Sequence, residues 1–292
     1  MNSEQFGYLS DTNGIPLYAA FHAPAANVPS RAPVLVCPPL FEERKSAYAA
    51  LRKLTLKLAA AGHPVLRFDH RGSGESGGSS AARRWPHLAE DAAAARQTLA
   101  RLSGREDVVL LGLRLGATLT LLEAPRLGAK AVIALAPIVS GAAQVRLWKM
   151  RSKIRAELTD GESTAGQARS GTARAGGDAG GTVDFDGYDV HPAFFDDVAA
   201  IDLLKPPAHL ACPALIVQIS HRTDPAAEST QLAAALGAQA QLACLRLEPF
   251  WDKLDDVDTK PVDDMAVNWV SSYGVQVSGS GERSESNLKP AT

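Results

Sequence analysis

Short apolar runs alternate along the chain with longer stretches whose apolar residues recur at helical spacing. The short runs are apolar at nearly every position and predict strands buried on both faces, at 33–37, 65–68, 108–111, 131–136, 213–219 and 242–247. The longer stretches predict helices over 46–61, 85–102, 142–158, 193–204 and 261–273. Residues 6–23 alternate weakly around a turn sequence at 11–14, which predicts an antiparallel hairpin. This order of elements predicts an α/β protein whose central sheet is mostly parallel, with helices on both faces and the hairpin at one edge.

The composition divides the chain into four parts. Residues 1–141 and 206–276 carry the predicted strands and form the two parts of one core, whereas residues 142–205 are an insertion that would lie above the sheet as a lid. Within this insertion, 142–158 is a basic helix, and 160–182 consist mainly of Gly, Ala, Ser and Thr, which predicts disorder. The Ser-, Gly- and Glu-rich residues 277–292 predict a flexible tail.

Charge and cysteine content exclude several classes of protein. The formal net charge of −2 predicts no nucleic-acid partner. The three cysteines are too scattered for a disulfide framework, and no ligand spacing indicates a metal, so we expect neither metal nor cofactor. No apolar run approaches the roughly 20 residues of a membrane span, and the first residues lack the features of a signal peptide. We therefore expect a soluble protein of the reducing cytoplasm.

One stretch carries a recognisable chemical motif. The apolar run from residue 108 ends at Gly112, turns over four residues and continues as a helix-forming apolar stretch. This is the strand–turn–helix of a nucleophile elbow, G-x-S-x-G, in which the central serine stands at the end of a strand. Here the central residue is Arg114, between Leu113 and Leu115.

Four motifs in this order resemble a known family. They are the segments 38–44 (PPLFEER), 68–76 (FDHRGSGES), 112–117 (GLRLGA) and 249–251 (PFW). The chain resembles the serine aminopeptidase-like branch of the α/β hydrolases and, within it, the hydrolase-like proteins associated with exosortase A systems. The resemblance implies the α/β-hydrolase fold, with 142–205 as the lid. It also implies acyl or ester hydrolysis, in a setting of exported polysaccharides and sorted proteins.

The catalytic residues that such a hydrolase needs are not all present. The mechanism requires a nucleophile, a histidine base, an acid that orients the base, and an oxyanion hole. Asp224 stands where the acid belongs, but all seven histidines precede residue 222, and Phe250 and Trp251 occupy the expected place of the base. Arg114 stays protonated, so it serves neither as nucleophile nor as base. The sequence therefore argues against serine-hydrolase chemistry at this elbow.

Two interpretations of Arg114 remain open. A cation at a helix N-terminus is disfavoured, so a negative group should compensate it. In the first interpretation, Arg114 forms an ion pair with Glu42 or Glu43, from the loop after the first core strand. The pair would then occupy the position of the oxyanion hole in an active hydrolase. In the second, Arg114 and the helix N–H groups hold a carboxylate or phosphate ligand. The residues expected to contact a ligand are Arg114, Leu115, Leu40, Phe41, Glu42, Glu43, Phe250 and Trp251.

Several other residues have both a structural and a functional interpretation. Cys37 ends a core strand and would be a nucleophile only if its thiol ionised with help from His221; a buried cysteine is usually only a small apolar residue. Phe250 and Trp251 either fill the space of the missing histidine or stack on a ligand. Asp224 without a histidine orders its loop, paired with Arg222. The glycine-rich loop 69–78 lacks the spacing of a phosphate loop and is interpreted as a structural turn.

Two functional hypotheses follow. In the first, the chain is a non-catalytic homologue that binds a small acidic or acylated molecule, or a protein partner, in the cleft under the lid. In the second, it is a working acyl or ester hydrolase with a rearranged site that uses Cys37, Asp224, His221 or a glutamate. The two differ in whether a nucleophile and a base lie within about 3 Å of each other in the cleft.

Overall fold

The structure is a computed structural model, and it describes residues 4–9, 14–162, 181–205, 210–253 and 257–272, with backbone only for 155–162. Most of the predicted disordered stretch, 163–180, and the predicted flexible tail 277–292 lie outside the described residues. The helix that precedes the first of these continues to Glu162, so residues 160–162 are helical.

Ten strands and seven α-helices occur in the described ranges. The strands are β1 Glu4–Leu9, β2 Leu17–His22, β3 Val34–Cys37, β4 Val65–Phe68, β5 Val109–Leu113, β6 Ala131–Leu135, β7 Val183–Phe185, β8 Tyr188–Val190, β9 Ala214–Ser220 and β10 Ala240–Arg246. The helices are α1 Phe41–Ala60, α2 Trp85–Ser103, α3 Leu115–Glu123, α4 Gly141–Glu162, α5 Pro192–Ala199, α6 Ala227–Leu236 and α7 Lys260–Ser272.

Within the described part of the chain, eight strands form one sheet in the order β1-β2-β4-β3-β5-β6-β9-β10. The neighbours β4-β3-β5-β6-β9-β10 pair in parallel, while β1 pairs antiparallel with β2, and β2 antiparallel with β4. The predicted parallel sheet with an antiparallel hairpin at one edge is therefore confirmed. Parallel strands end at the same edge of a sheet, so the residues after β3, β5, β6, β9 and β10 lie along one edge.

The core lies on both faces of the sheet. Successive residues of a strand point to opposite faces, and in β5 Leu110 packs into one apolar cluster while Leu111 packs into the other. One cluster includes buried residues of α2, α3 and α5, and the other includes buried residues of α1 and α7. A strand covered on both faces has no polar alternation, which explains the continuous apolar runs in the sequence.

The segment between β6 and β9 packs onto the body of the molecule through aromatic rings. The Phe41 ring at the start of α1 makes edge-to-face contacts, with ring centroids 5.0–5.9 Å apart, with four rings of this segment: Trp148, Phe185, Tyr188 and Phe194. At its base, Ser140 and Asp202 form a β-bridge. These contacts fix α4 and the β7–β8 hairpin, a two-stranded sheet that the sequence patterns do not predict, over the start of α1.

Some helix boundaries differ from those predicted. Helix α1 begins at Phe41 rather than at residue 46, so Glu42 and Glu43 lie in its first turn and not in a loop. Acidic residues are favoured in a first turn, and this signal in the sequence supports the earlier start. Helix α5 ends at Ala199 rather than at 204, because the chain turns into the bridge at Asp202. None of the described helices is long and apolar enough to span a membrane.

Candidate functional site

The elbow has the strained backbone that its motif predicts. Arg114, between β5 and α3, has φ 55° and ψ −120°, a region that non-glycine residues rarely adopt. Glycines on both sides allow the tight turn, since a Cβ on Gly112 would lie 2.4 Å from the Gly116 oxygen, and one on Gly116 would lie 2.2 Å from the Cys37 oxygen. The backbone N–H of Arg114 donates to the carbonyl of Leu135 in β6 at 2.9 Å. The elbow geometry is therefore kept, with arginine in the central position.

The Arg114 guanidinium is held by groups of the protein itself. Its Nε donates to Glu43 Oε1 at 3.3 Å, its Nη2 to Gln144 Oε1 at 2.8 Å, and its Nη1 to the Ala136 carbonyl at 3.2 Å. The guanidinium carbon also lies 5.2 Å from the centre of the Trp251 ring, within cation–π range. These contacts come from α1, α4, the end of β6 and the loop after β10. They account for the charge of Arg114 without an external anion.

Of the two candidate glutamates, Glu43 is the partner of Arg114. Its side chain is 10% exposed, and burial raises its pKa, although the nearby Arg114 opposes this rise. Glu43 Oε2 is buried and has no hydrogen-bond partner in the described part of the molecule. Glu42 is only partly exposed and pairs with Lys45 instead, at 3.4 Å. The second interpretation, in which Arg114 binds an external anion, conflicts with this arrangement because the guanidinium already has a carboxylate partner.

The loop after β10 carries Phe250 and Trp251, which stand in the sequence where a catalytic histidine is expected. Phe250 and Trp251 are buried there and pack edge to face with their ring centroids 5.2 Å apart. Asp252, the next residue, accepts hydrogen bonds at 3.0 and 3.3 Å from both terminal nitrogens of Arg151 on α4. This contact ties α4 to the loop, and it raises the pKa of the Arg151 guanidinium.

A cleft of about 430 Å³ opens between α1, α4, the β7–β8 hairpin and the loop after β10. Five of the residues predicted to contact a ligand line it, namely Leu40, Phe41, Glu42, Glu43 and Trp251. Arg114, Leu115 and Phe250 do not line it, and Arg114 is connected to it through its contacts with Glu43 and Trp251. The remaining lining residues are Ser46, Trp148, Arg151, Ile154, Phe185, Asp186 and Asp252.

The residues of the alternative, rearranged site do not come together. His221 and Asp224 are exposed in the loop after β9, and no ion pair among the described residues joins Asp224 to Arg222. Cys37 is fully buried, and burial raises the pKa of its thiol to about 12. Cys37 ends β3 and His221 follows β9, and because β5 and β6 lie between these strands, β3 and β9 are about 14 Å apart, at roughly 4.8 Å per strand. A thiol that stays protonated is a poor nucleophile.

The glycine-rich loop 69–78 is held by ion pairs, as a structural turn requires. Asp69 accepts from Arg44 Nε at 2.9 Å and Nη2 at 2.7 Å. Asp91 of α2 accepts from the Arg71 backbone N–H at 2.9 Å and from its Nε at 2.7 Å. Burial raises the pKa of Asp91, but hydrogen bonds from His70 and Arg71 outweigh that effect and hold the pKa below its usual value.

Arg83 is a residue near the site that the sequence patterns do not indicate. It is 1% exposed, and its guanidinium lies 5.1 Å from the Phe41 ring centre and 5.6 Å from that of Phe194. Its Nη1 donates to Ser73 Oγ at 2.6 Å, and burial lowers its pKa to about 10. It therefore connects the glycine-rich loop to the aromatic rings beside the cleft.

Other residues of the site also escape sequence reasoning. The packing of α4 brings Gln144 to Arg114 and Trp148 to the cleft. It also brings Arg151 to Asp252, in the loop after β10. The sequence has no motif that predicts how α4 packs. Arg151 belongs to the basic stretch of the predicted helix, but only the structure reveals its partner. Across the described ranges, no group of three His, Cys, Asp or Glu side chains is placed to hold a metal ion.

Comparisons with known proteins agree with this geometry. A family model described as "Serine aminopeptidase, S33" matches residues 31–167, somewhat less than half of the chain. No curated protein matches the sequence significantly.

Solved structures match nearly the whole chain. Est1E from Butyrivibrio proteoclasticus, solved with ferulic acid bound, is 19% identical with a TM-score of 0.59, covering 91% of this chain and 96% of that one. The Pyrococcus furiosus esterase Pf2001 is 12% identical with a TM-score of 0.62, covering 93% and 90%. XC6422 from Xanthomonas campestris, described as an α/β serine hydrolase without lid, is 17% identical with a TM-score of 0.56, covering 94% and 97%. The parallel sheet, the strained elbow and these likenesses together show that the chain has the α/β-hydrolase fold.

Proposed function

We propose that this chain is a non-catalytic member of the α/β-hydrolase fold that binds a small ligand, or a segment of a partner, in the cleft between α1, α4 and the loop after β10. One observation carries the proposal. The side chain at the nucleophile position is a guanidinium paired with Glu43 at 3.3 Å and Gln144 at 2.8 Å, and Trp251 lies against it. A guanidinium cannot attack a carbonyl or accept a proton, so this position supplies no covalent chemistry.

The cleft itself supports binding rather than hydrolysis. Its lining residues include no histidine and no cysteine, and Ser46, its one hydroxyl group, makes no hydrogen bond to a base within the described part of the chain. A serine without a base is a weak nucleophile. A volume of about 430 Å³ with several aromatic rings is typical of a site for a small molecule. The cleft therefore has the volume and the aromatic lining of a binding site but no paired nucleophile and base.

The alternative is an active acyl or ester hydrolase with a rearranged site. The retained strain at Arg114 and the likeness to esterases favour it. The separation of Cys37 from His221 and the raised pKa of the Cys37 thiol count against it. We also propose a cytoplasmic location, which rests on the scattered cysteines and the first residues of the sequence, and a role beside an exosortase system, which rests on the sequence resemblance.

Ester turnover separates the two candidates. We expect the purified protein to hydrolyse short-chain acyl esters and a thioester at a rate within about twofold of buffer. We expect the same of Arg114→Ser, because a lone serine gains nothing without a base beside it. Cys37→Ala and Ser46→Ala are the matched controls for relocated nucleophiles. Turnover by the wild type that disappears in either control, or turnover that appears in Arg114→Ser, would contradict the proposal.

A further inference from the structure

Glu43 has one satisfied and one unsatisfied carboxylate oxygen. The residue is 8% exposed, its Oε1 accepts from Arg114, and its Oε2 has no partner in the described part of the molecule. Buried carboxylate oxygens are nearly always hydrogen-bonded, because losing water without gaining a donor is unfavourable. Glu43 lines the cleft, so a shift of its side chain that exposes Oε2 would let a donor on a bound molecule complete its coordination.

The charges around the cleft favour a positively charged donor. Four carboxylates line it, on Glu42, Glu43, Asp186 and Asp252. Glu42 pairs with Lys45, Glu43 with Arg114, and Asp252 with Arg151, the one guanidinium in the lining, so each of these three cations already has a carboxylate partner. An anionic ligand would meet the repulsion of these carboxylates, whereas a cation would be attracted by them. This arrangement disfavours the acidic ligand expected from the sequence.

The lining of the cleft is also aromatic. Phe41, Trp148 and Phe185 pack against one another with centroid distances of 5.0–6.0 Å, and Trp251 lies in the loop after β10. Aromatic faces bind both apolar groups and cations. A ligand that matches both the rings and the carboxylates has an apolar body and a cationic donor at one end.

Resting on the proposed function, we propose that the cleft selects an apolar or aromatic amine, whose ammonium group donates to Glu43 Oε2 and whose body packs between Phe41, Trp148 and Trp251. Arg114 then positions Glu43 from the far side by holding Oε1. In an active relative the elbow residue reacts with the substrate; here it orients a carboxylate that recognises a cation. The binding is reversible and involves no covalent step.

Three probes of similar size and different charge test this selectivity: 2-phenylethylamine, 2-phenylethanol and 3-phenylpropionate. Binding is followed by tryptophan fluorescence, because Trp148 and Trp251 line the cleft. We expect saturable binding of the amine to the wild type, about tenfold tighter than that of the alcohol, since only the ammonium adds the attraction between opposite full charges and a cation–π contact to its hydrogen bond. The carboxylate should bind most weakly.

The variant Glu43→Gln keeps an acceptor for Arg114 and removes the charge. We expect it to lose the preference for the amine, with about tenfold weaker amine binding and a smaller loss for the alcohol, which has no charge to pair with the carboxylate. Glu228→Gln, an exposed glutamate on α6, is the matched control and should change nothing. Circular dichroism confirms that each variant is folded, and the comparison of the three probes in the wild type does not depend on any variant.

The outcomes separate this inference from the proposed function. Equal binding of the amine and the alcohol, or tighter binding of the carboxylate, would overturn the cationic selectivity and leave a ligand-binding cleft. Failure of all three probes to saturate would also overturn the inference. Ester turnover, measured separately, would overturn the proposed function whatever the probes show.

Discussion

At the scale of single residues, the arginine in the central position of the elbow is surrounded by groups that pair with its charge and its N–H donors. Arg114 and Glu43 are 15% and 10% exposed in their side chains, so both charges have lost most of their water. Gln144 and the Ala136 carbonyl satisfy further N–H groups of the guanidinium. Removing one partner of a buried pair leaves the other charge without compensation, which is more damaging than replacing both.

A double-mutant cycle measures this dependence. We expect Arg114→Met and Glu43→Gln each to lower the free energy of unfolding by about 2–4 kcal/mol, and the double variant to lose less than the sum by at least about 1 kcal/mol. The measurement is urea denaturation followed by circular dichroism. Arg151→Met is the control, because Arg151 is 47% exposed and its pair with Asp252 should contribute no more than about 1 kcal/mol. Additive losses would mean that Arg114 and Glu43 do not act as a pair.

At the scale of elements, the elbow depends on how closely α3 approaches β3 and β5. The helix begins immediately after the strained residue Arg114, and Gly116 faces the backbone of Cys37 and Pro38. Backbone atoms cannot move aside as a flexible side chain can. The close packing of this turn therefore requires glycine at both positions, 112 and 116, whatever residue lies between them.

The substitution Gly116→Ala tests that packing. The added Cβ would lie 2.2 Å from the Cys37 oxygen and 2.5 Å from the Pro38 oxygen, so we expect a loss of roughly 2–4 kcal/mol in the free energy of unfolding. Gly181→Ala is the matched control, since its Cβ would meet nothing within 4 Å, and its effect should stay within about 0.5 kcal/mol. Thermal unfolding of both variants decides the point. A Gly116→Ala variant as stable as the wild type would show that α3 shifts away without loss.

The sequence is informative about the elbow because its spacing is local. G-x-R-x-G, the preceding apolar run and the following helix all lie within a dozen residues, and so the substitution at Arg114 can be recognised directly. Glu43 can be proposed as a partner from the fold resemblance. Gln144 cannot, because its contact depends on the rotation of α4 about its axis, which is set by rings from α1, β7 and α5.

At the scale of the whole molecule, periodicity predicts the sheet and its faces but not the cleft. The cleft is assembled from α1, α4, the β7–β8 hairpin and the loop after β10, which are far apart in the chain. The short strands β7 and β8 lie beside a stretch of Gly, Ala, Ser and Thr, and their pattern is too brief to predict a hairpin. The expected acidic ligand came from Arg114 alone, whereas the charged residues that line the cleft are four carboxylates and one arginine.

The antiparallel edge of the sheet contains a buried histidine that links folding to pH. His22 in β2 is fully buried, and burial, with the nearby Arg67 guanidinium, lowers its pKa to about 4. Arg67 Nε lies 3.5 Å from His22 Nε2. Because the unfolded chain binds a proton near pH 6.5 and the folded chain only near 4, stability is full above 6.5 and decreases as the pH falls toward 4.

We therefore expect the free energy of unfolding of the wild type to fall by about 1–2 kcal/mol more than that of a His22→Gln variant when the pH is lowered from about 7 to about 5. Comparing the variant with the wild type cancels the carboxylates, which protonate in both proteins. His221→Gln is the matched control, because His221 is exposed and its replacement should leave the pH profile parallel to that of the wild type. Urea denaturation at each pH gives the free energies. Parallel profiles for wild type and His22→Gln would mean that His22 binds its proton as readily in the folded protein as in the unfolded chain, and that the loss of stability at acidic pH comes from other groups.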